Sequence, residues 1–262
     1  MEIAAAQAAS AVLVRHWQDG TVLPALPTAL RPSSREEGYL IQAQIEALSA
    51  RPLYGWKIAA TSDAGQRHIG IAGPIAGRLL AETVHVDGDI IPFGANRMRV
   101  VEAEFAFRMG RDLPPRPMPY QKDEVLDAVA ELHLALEIPD SRYADFVTAG
   151  GPQLIADNAC AHRFVIGPPA PALWRRTDLA AHRMVGRVGN RVAEGTGANV
   201  LGDPRTALTW LANELSSLGI TLAAGQTVTT GTCVTPMPIA PGDVVAADFG
   251  ELGRMGCRFA EA

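Results

Sequence analysis

VEAEFAF, residues Val101 to Phe107, alternates apolar and acidic side chains. Successive side chains of a strand point to opposite faces, so Val101, Ala103, Phe105 and Phe107 turn to a core while Glu102 and Glu104 share the other face. Two such carboxylates sit about 7 Å apart along the strand, repelling modestly in water and strongly once buried. The segment alone permits two readings: a solvated sheet face, or part of a cation site. A second segment, LALEI at 134–138, puts Leu134, Leu136 and Ile138 on one face and Glu137 beside Ala135 on the other. An acid in so apolar a strand is either half-exposed or held by something positive. Three acids from two strands offer the oxygen ligands that a hard divalent ion such as Mg²⁺ or Mn²⁺ prefers, and no grouping of Cys and His favours zinc. His133 is read as a ligand or, more commonly for such a residue, a packed core histidine.

Outward from these acids, YGWKIAA (54–60) is an apolar strand with one lysine. Parity sets Gly55, Lys57 and Ala59 on one face and Trp56 and Ile58 on the other. Lys57 is either a surface residue on an edge strand or an amine aimed into a cleft. In a cleft, burial lowers its pKa and a carboxylate raises it, and it can move a proton or clamp a substrate carboxylate. Thr61 and Ser62 follow at the strand end, as hydrogen-bond donors or helix caps.

The first fifty residues read as helical. Ala6, Ala9, Leu13 and Trp17 form one stripe; Ser34 with Glu37 suggests a capping box before a second stripe of Ile41, Ile45 and Leu48. Asp87-Gly88 is a turn signal within 84–91. Asp123 is placed as the cap of a helix reaching Leu132, with Val125, Val129 and Leu132 inward. Asp203-Pro204 starts a helix with Ala207, Leu211, Leu215 and Leu218 on its apolar side and Gly219 ending it. Segments 227–230, 244–249 and 255–259 read as strands. Strands outnumber helices without alternating with them, which fits a mixed, largely antiparallel β core better than a doubly wound sheet. No glycine-rich phosphate loop follows a strand.

The 262 residues fit one large domain, or one domain with a helical appendage at 1–52 before a β domain at 53–262. With 48% hydrophobic residues the chain builds a sizeable core. A net charge of -5 and no basic cluster beyond Arg97-Met98-Arg99 argue against a nucleic-acid partner. Three cysteines without a C-x-x-C pattern point to a reducing, cytoplasmic setting. No uninterrupted apolar run reaches 18 residues, so no membrane span is expected.

Taken in order, these segments resemble the fumarylacetoacetate hydrolase superfamily, in its 2-keto-4-pentenoate hydratase and 4-oxalocrotonate decarboxylase branch. GWKIAATS (55–62) resembles its G-x-K-x-x-x-T-S segment, Glu102-Ala103-Glu104 its E-x-E metal pair, and LEIPDSR (136–142) the segment of its third metal glutamate. IADNA (155–159), VLGDP (200–204), WLAN (210–213) and GQTVTTG (225–231) resemble later signatures. The resemblance spans nearly the whole chain. It implies an α+β fold with a mixed β-roll or sandwich core, flanking helices and an N-terminal helical portion. It implies Mg²⁺ or Mn²⁺ on Glu102, Glu104 and Glu137, Lys57 in the active site, and a homo-oligomer acting on a small 2-oxo acid. Ser62 is assigned beside Lys57 in catalysis, and Gln66 and Thr232 to substrate orientation, with local capping as the alternative for each hydroxyl.

Two departures from the pattern stand out. GPIAG (73–77) lacks the acid that hydratases often carry there and resembles the decarboxylases in being apolar. Cys160, Ala161 and His162 stand where serines are common, which points to a different substrate tail. The expected reaction is hydration of a 2-hydroxydienoate or 2-oxo-alkenoate to a 4-hydroxy-2-oxo acid. Decarboxylation of a 2-oxo diacid, and a silent scaffold complexed with a related enzyme, are the alternatives. Acylpyruvate-type hydrolysis lacks a convincing water-activating pair among His68, His85 and His162.

Overall fold

The N-terminal apolar stripe folds as foreseen into α1 (Ile3–Asp19), and Ser34 accepts from the Glu37 amide to cap α2 (Arg35–Ala43). Glu37 departs from a strict capping box: its carboxylate takes the Ser33 amide and the terminal amine of Met1 instead. After Ala43 the chain tightens into a 3₁₀ turn, Gln44–Leu48. The angle per residue changes there, so Ile45 stays buried but Leu48 rotates into solvent at 51% exposure. The computed structural model describes residues 1–261.

The strands are β1 (Gly55–Ala59), β2 (Ile75–Leu79), β3 (Val84–Val86), β4 (Ile90–Ile91), β5 (Val100–Met109), β6 (Val129–Ile138), β7 (Arg163–Pro169), β8 (Arg183–Val188), β9 (Arg191–Thr196), β10 (Thr227–Thr232), β11 (Met237–Pro238), β12 (Val244–Asp248) and β13 (Arg254–Phe259). The remaining α-helices are α3 (Asp63–His68), α4 (Lys122–Asp127), α5 (Gly151–Ala156) and α6 (Pro204–Ser217). One sheet runs β2-β1-β10-β5-β6-β7-β3, with β11 beside the start of β5; the second runs β4-β13-β12-β8-β9. Most neighbours are antiparallel, and β1–β10, β3–β7 and β4–β13 are parallel.

The core lies between the sheets. Val101, Ala103, Phe105 and Phe107 of β5 join Leu132, Leu134, Leu136 and Ile138 of β6 on one inner face. Met184, Val188, Val245, Ala247, Met255, Cys257 and Phe259 come from the other sheet. Phe105 meets Phe249 at 5.4 Å between ring centres, and the sheets close as a sandwich. The outer face of the large sheet carries Lys57 and the glutamates beside a small apolar cluster of Leu79, Ala106, Ala135 and Phe164, and a separate cluster of Ala6, Ala9, Leu13, Leu23, Leu26, Ile41 and Ala156 ties α1 and α2 to α5. Gln42 donates to Ala76 O on β2 and Ile155 O on α5, stitching the helices to the sheet.

One expectation is corrected. The helix placed over 123–132 ends at Asp127, and Gln121 rather than Asp123 leads it, its amide donating to Glu124. Val129 and Leu132 are still buried, but on β6, where the ten-residue β5 offers a full ladder of partners that outweighs local helical spacing. The Asp87-Gly88 turn forms, yet its flanking strands enter different sheets: β3 pairs with β7 and β4 with β13. No helix among the described residues is long and apolar enough to cross a membrane.

At the start of α6 the Asp203 carboxylate accepts from the Arg205 amide and pairs with Lys122 at 2.9 Å. Asp203→Ala is expected to lower unfolding free energy by about 1 kcal/mol with an unchanged denaturant slope, measured by urea titration. An unchanged midpoint would remove this cap from the account.

Candidate metal centre

Strand pairing brings the three acids together. Glu102 on β5 stands opposite Glu137 on β6, and Glu104 is two residues along the same face. One carboxylate oxygen from each lies within 4.8 Å of the others. Glu104 and Glu137 are buried and Glu102 is half-buried, so solvent reaches the cluster from the Glu102 side. Lys57 arrives from β1, an interior strand between β2 and β10, and its Nζ is 3.4 Å from Glu137 Oε1. The edge-strand alternative for Lys57 is thereby removed.

A bulge in β10 orients Glu104. Between Thr229 and Thr232 that strand advances three residues while β5 advances two, from Ala106 to Glu104. The extra residue turns the Gly231 amide onto Glu104 Oε2 at 2.8 Å, and the Thr229 hydroxyl donates to the same oxygen. Gly231 is required twice over: its φ is +104°, and an added Cβ would lie 2.1 Å from Thr61 Oγ1. Both bonds fall on one oxygen, Oε2, which fixes the carboxylate.

On the other side of Lys57, Asn158, Ala159 and Cys160 are three consecutive non-glycine residues with φ of +55°, +50° and +61°. Left-handed backbone costs roughly 1 kcal/mol or more for each such residue. The turn presents the Ala159 carbonyl to Lys57 Nζ at 3.0 Å. Its base is anchored by Asp157, which accepts from the Arg142 guanidinium and, at 2.7 Å, from Ser141 Oγ. Gly77 leaves room for it, since a Cβ there would be 2.4 Å from Asn158 O.

Three carboxylates and one ammonium leave a formal charge of -2 if all ionise, in a buried site. Burial pushes the Glu104 carboxyl well above the usual carboxylate range, and repulsion from Glu102 and Glu137 adds to it, against weaker pulls from Thr229 and Lys57. Burial likewise raises Glu137 and Glu102 despite the Lys57 charge. For Lys57, burial lowers the pKa, but attraction to Glu137, Glu102, Cys160 and Glu104 outweighs it and the amine stays protonated. Both Glu137 oxygens are buried and accept no hydrogen bond. Orphaned carboxylate oxygens in an all-oxygen set fit a hard divalent cation, whose two charges match the deficit.

The remaining residues singled out in the sequence are engaged locally. Ser62 Oγ accepts from the Gly65 amide and caps α3. Gln66 braces the loop after β1, donating to Ala60 O and accepting from Gly73 N, both at 3.1 Å. Thr232 donates to Val234 O at 2.6 Å. His133 bonds Gly167 O and Glu131, as a structural histidine does. His162 accepts from Trp17 Nε1, and burial holds its pKa down to about 3. Sequence reasoning passed over Thr229, the Gly231 amide and the Ala159 carbonyl. The run Thr227–Thr230 hinted at the first; a backbone donor and a backbone acceptor have no residue type by which to find them.

Residues 76–260 match the family model described as fumarylacetoacetate (FAA) hydrolase C-terminal. A 2-keto-4-pentenoate hydratase of Paraburkholderia xenovorans (strain LB400) is 33% identical over 251 residues, covering 94% of this chain and 92% of its own. A 2-oxo-hept-4-ene-1,7-dioate hydratase of Escherichia coli is 30% identical over 233 residues, with 86% of each chain covered. Among solved structures, 4-oxalocrotonate decarboxylase from Pseudomonas putida G7, complexed with magnesium and adipate, superposes with a TM-score of 0.90 at 25% identity, covering 99% of this chain and 98% of that one.

If a cation completes the cluster, Mn²⁺ at about one hundred times its Kd stabilises the fold by about 2.7 kcal/mol, read as a rise in Tm. Glu104→Gln is expected to lose that rise at the same concentrations while staying within about 1 kcal/mol of the metal-free parent, because its amide oxygen can still accept from the Gly231 amide and the Thr229 hydroxyl. A full metal-induced rise in Glu104→Gln would contradict this assignment.

Proposed function

The chain belongs to the fumarylacetoacetate hydrolase family, and from that premise we propose that it is a metal-dependent hydratase of a small 2-hydroxydienoate or 2-oxo-alkenoate. A 2-hydroxydienoate first ketonises, its enol proton leaving oxygen and a proton entering C5; water then adds across the C3–C4 double bond, hydroxyl at C4 and proton at C3, and the product is a 4-hydroxy-2-oxo acid. The observation that carries this reading is the set of three converging carboxylates with a protonated amine beside them, in a chain that aligns over 94% of its length with a hydratase.

Glu102, Glu104 and Glu137 are the residues proposed to hold Mg²⁺ or Mn²⁺, which, when bound, would polarise the 2-oxo group and make C4 of the conjugated double bond electrophilic toward water. Lys57 is proposed as the proton carrier and the partner of the substrate carboxylate. An ammonium has three donors; one is spent on Ala159 O and one faces Glu137, which leaves one for substrate. Burial around Glu104, Glu137 and Lys57 keeps bulk water from competing for these groups. Ser62, Gln66 and Thr232 are proposed to act on the substrate through the loops that they brace. Assembly into a homo-oligomer belongs to the same reading.

Decarboxylation of a 2-oxo diacid is the second reading, favoured by the overall likeness to the decarboxylase and by the apolar Ile75-Ala76 at the start of β2. There the polarised 2-oxo group would take up, through conjugation, the electron pair released when the bond to a carboxylate breaks and CO₂ leaves.

With Mg²⁺ or Mn²⁺ present, 2-hydroxydienoate monoacids are expected to lose their ultraviolet absorbance and yield 4-hydroxy-2-oxo acids, identified by mass spectrometry. Release of CO₂ from a diacid without hydration of monoacids would select the second reading, and no turnover together with no bound metal would select a silent scaffold. Lys57→Met is expected to reduce kcat by about 10²- to 10⁴-fold while Mn²⁺ affinity holds.

A further inference from the structure

Asn158 makes no hydrogen bond to the glutamates among the described residues, yet it is buried and pairs with both the N–H and the C=O of one residue of β2. Its Oδ1 accepts from Arg78 N at 2.6 Å, and its Nδ2 donates to Arg78 O at 2.9 Å. The side chain thus behaves as one residue of an added strand on the outer edge of β2, which β1 pairs only on the other side. Arg78 itself is fixed, its guanidinium bonded to Glu46 and Gln42 and stacked over Trp56 at 4.7 Å. The left-handed turn therefore rests on a rigid anchor.

We propose that Asn158 is a positioning residue for Lys57: its amide locks residues 158–160 left-handed on β2, and so holds the Ala159 carbonyl against the lysine amine. Three features point the same way. The turn is unfavourable by itself, because L-residues avoid positive φ, so something must select it. Among the described residues the Ala159 carbonyl accepts from no backbone amide, whereas the flanking carbonyls do, Asn158 O from Ala161 N and Cys160 O from Asp140 N. Gly77, opposite Lys57 in the β1–β2 register, is bare where the turn descends onto the sheet. With one N–H anchored to Ala159 O, Lys57 cannot swing wholly onto Glu137, which would spend its proton on the acid rather than on substrate. This inference rests on Lys57 being the proton carrier of the proposed reaction.

The chain has only two lysines, Lys57 and Lys122. Lys122 is exposed at the surface beside Asp203, far from this turn in sequence, and serves as an internal standard. Competitive acylation with acetic anhydride, read by mass spectrometry, reports how firmly Lys57 is held without any assay of turnover. In Asn158→Ala, labelling of Lys57 relative to Lys122 is expected to rise about fivefold or more as the turn opens. In the hydratase assay kcat is expected to fall about tenfold to a hundredfold with KM within about threefold, as for a misplaced catalytic group. Mn²⁺ affinity, read by electron paramagnetic resonance, is expected to stay within about twofold, since no metal ligand has moved. Adding Ala159→Gly to Asn158→Ala is expected to recover part of both losses, because glycine accepts positive φ at little cost. If Asn158→Ala does not fold, Asn158→Ser, which retains a single hydrogen bond, carries the same measurements. Unchanged Lys57 labelling in the variant overturns the proposal, whatever happens to kcat. Raised labelling in a chain whose parent hydrates nothing leaves the positioning intact and instead removes the hydratase reading.

Discussion

Burying three carboxylates around one ammonium would, with all of them ionised, leave two negative charges without a partner from the protein, and the large sheet is organised around that deficit. Water would normally solvate such charges, and in a buried site nothing replaces it except protons or a cation. Glu137 illustrates the problem most clearly: no surface, no hydrogen bond, and only the Lys57 amine at 3.4 Å. A cluster of this kind has no value to stability, because apolar residues in its place would pack without the penalty. On that ground the outer face of β5 and β6 is the proposed working face of the molecule.

The scaffold meets the deficit with backbone groups more than with side chains. A one-residue bulge in β10 aims an amide at Glu104, and a left-handed turn aims a carbonyl at Lys57. Both irregularities sit beside strands otherwise in regular register, and each has a neighbour that makes room for it, Thr61 against a bare Gly231 and Asn158 against a bare Gly77. Irregular backbone of this kind is sustained only where the surroundings over-determine it, and the sandwich core on the opposite face of β5 supplies that rigidity through Phe105, Phe107 and Leu134. The chemistry proposed for Lys57 and the glutamates therefore depends on the packing of residues on the other face of the sheet.

Much of this was legible from residue types alone. Alternation in 101–107 and 134–138 set the correct faces for Glu102, Glu104 and Glu137, because a strand's period of two leaves no freedom once one face is apolar. The stripe through Ala207, Leu211 and Leu215 and the cap at Asp203 placed α6. What escaped were features decided by distant partners. Val129 and Leu132 carry helical spacing but lie on β6 because β5 is there to pair with them. The hairpin of β8 and β9 was readable from its Gly189-Asn190 turn between two apolar runs, with Gly189 at φ +56°, and was passed over. Asn158 was visible as part of a motif, but nothing in its type says that its amide would pair with Arg78, eighty residues away in sequence.

The central claim is that the carboxylates of Glu102, Glu104 and Glu137 close on one divalent ion. The most direct measurement is an anomalous difference map from crystals grown with Mn²⁺. The account predicts one strong peak in contact with oxygens of all three glutamates, close to but not bonded by Lys57. A peak elsewhere, or none at saturating Mn²⁺, would contradict it.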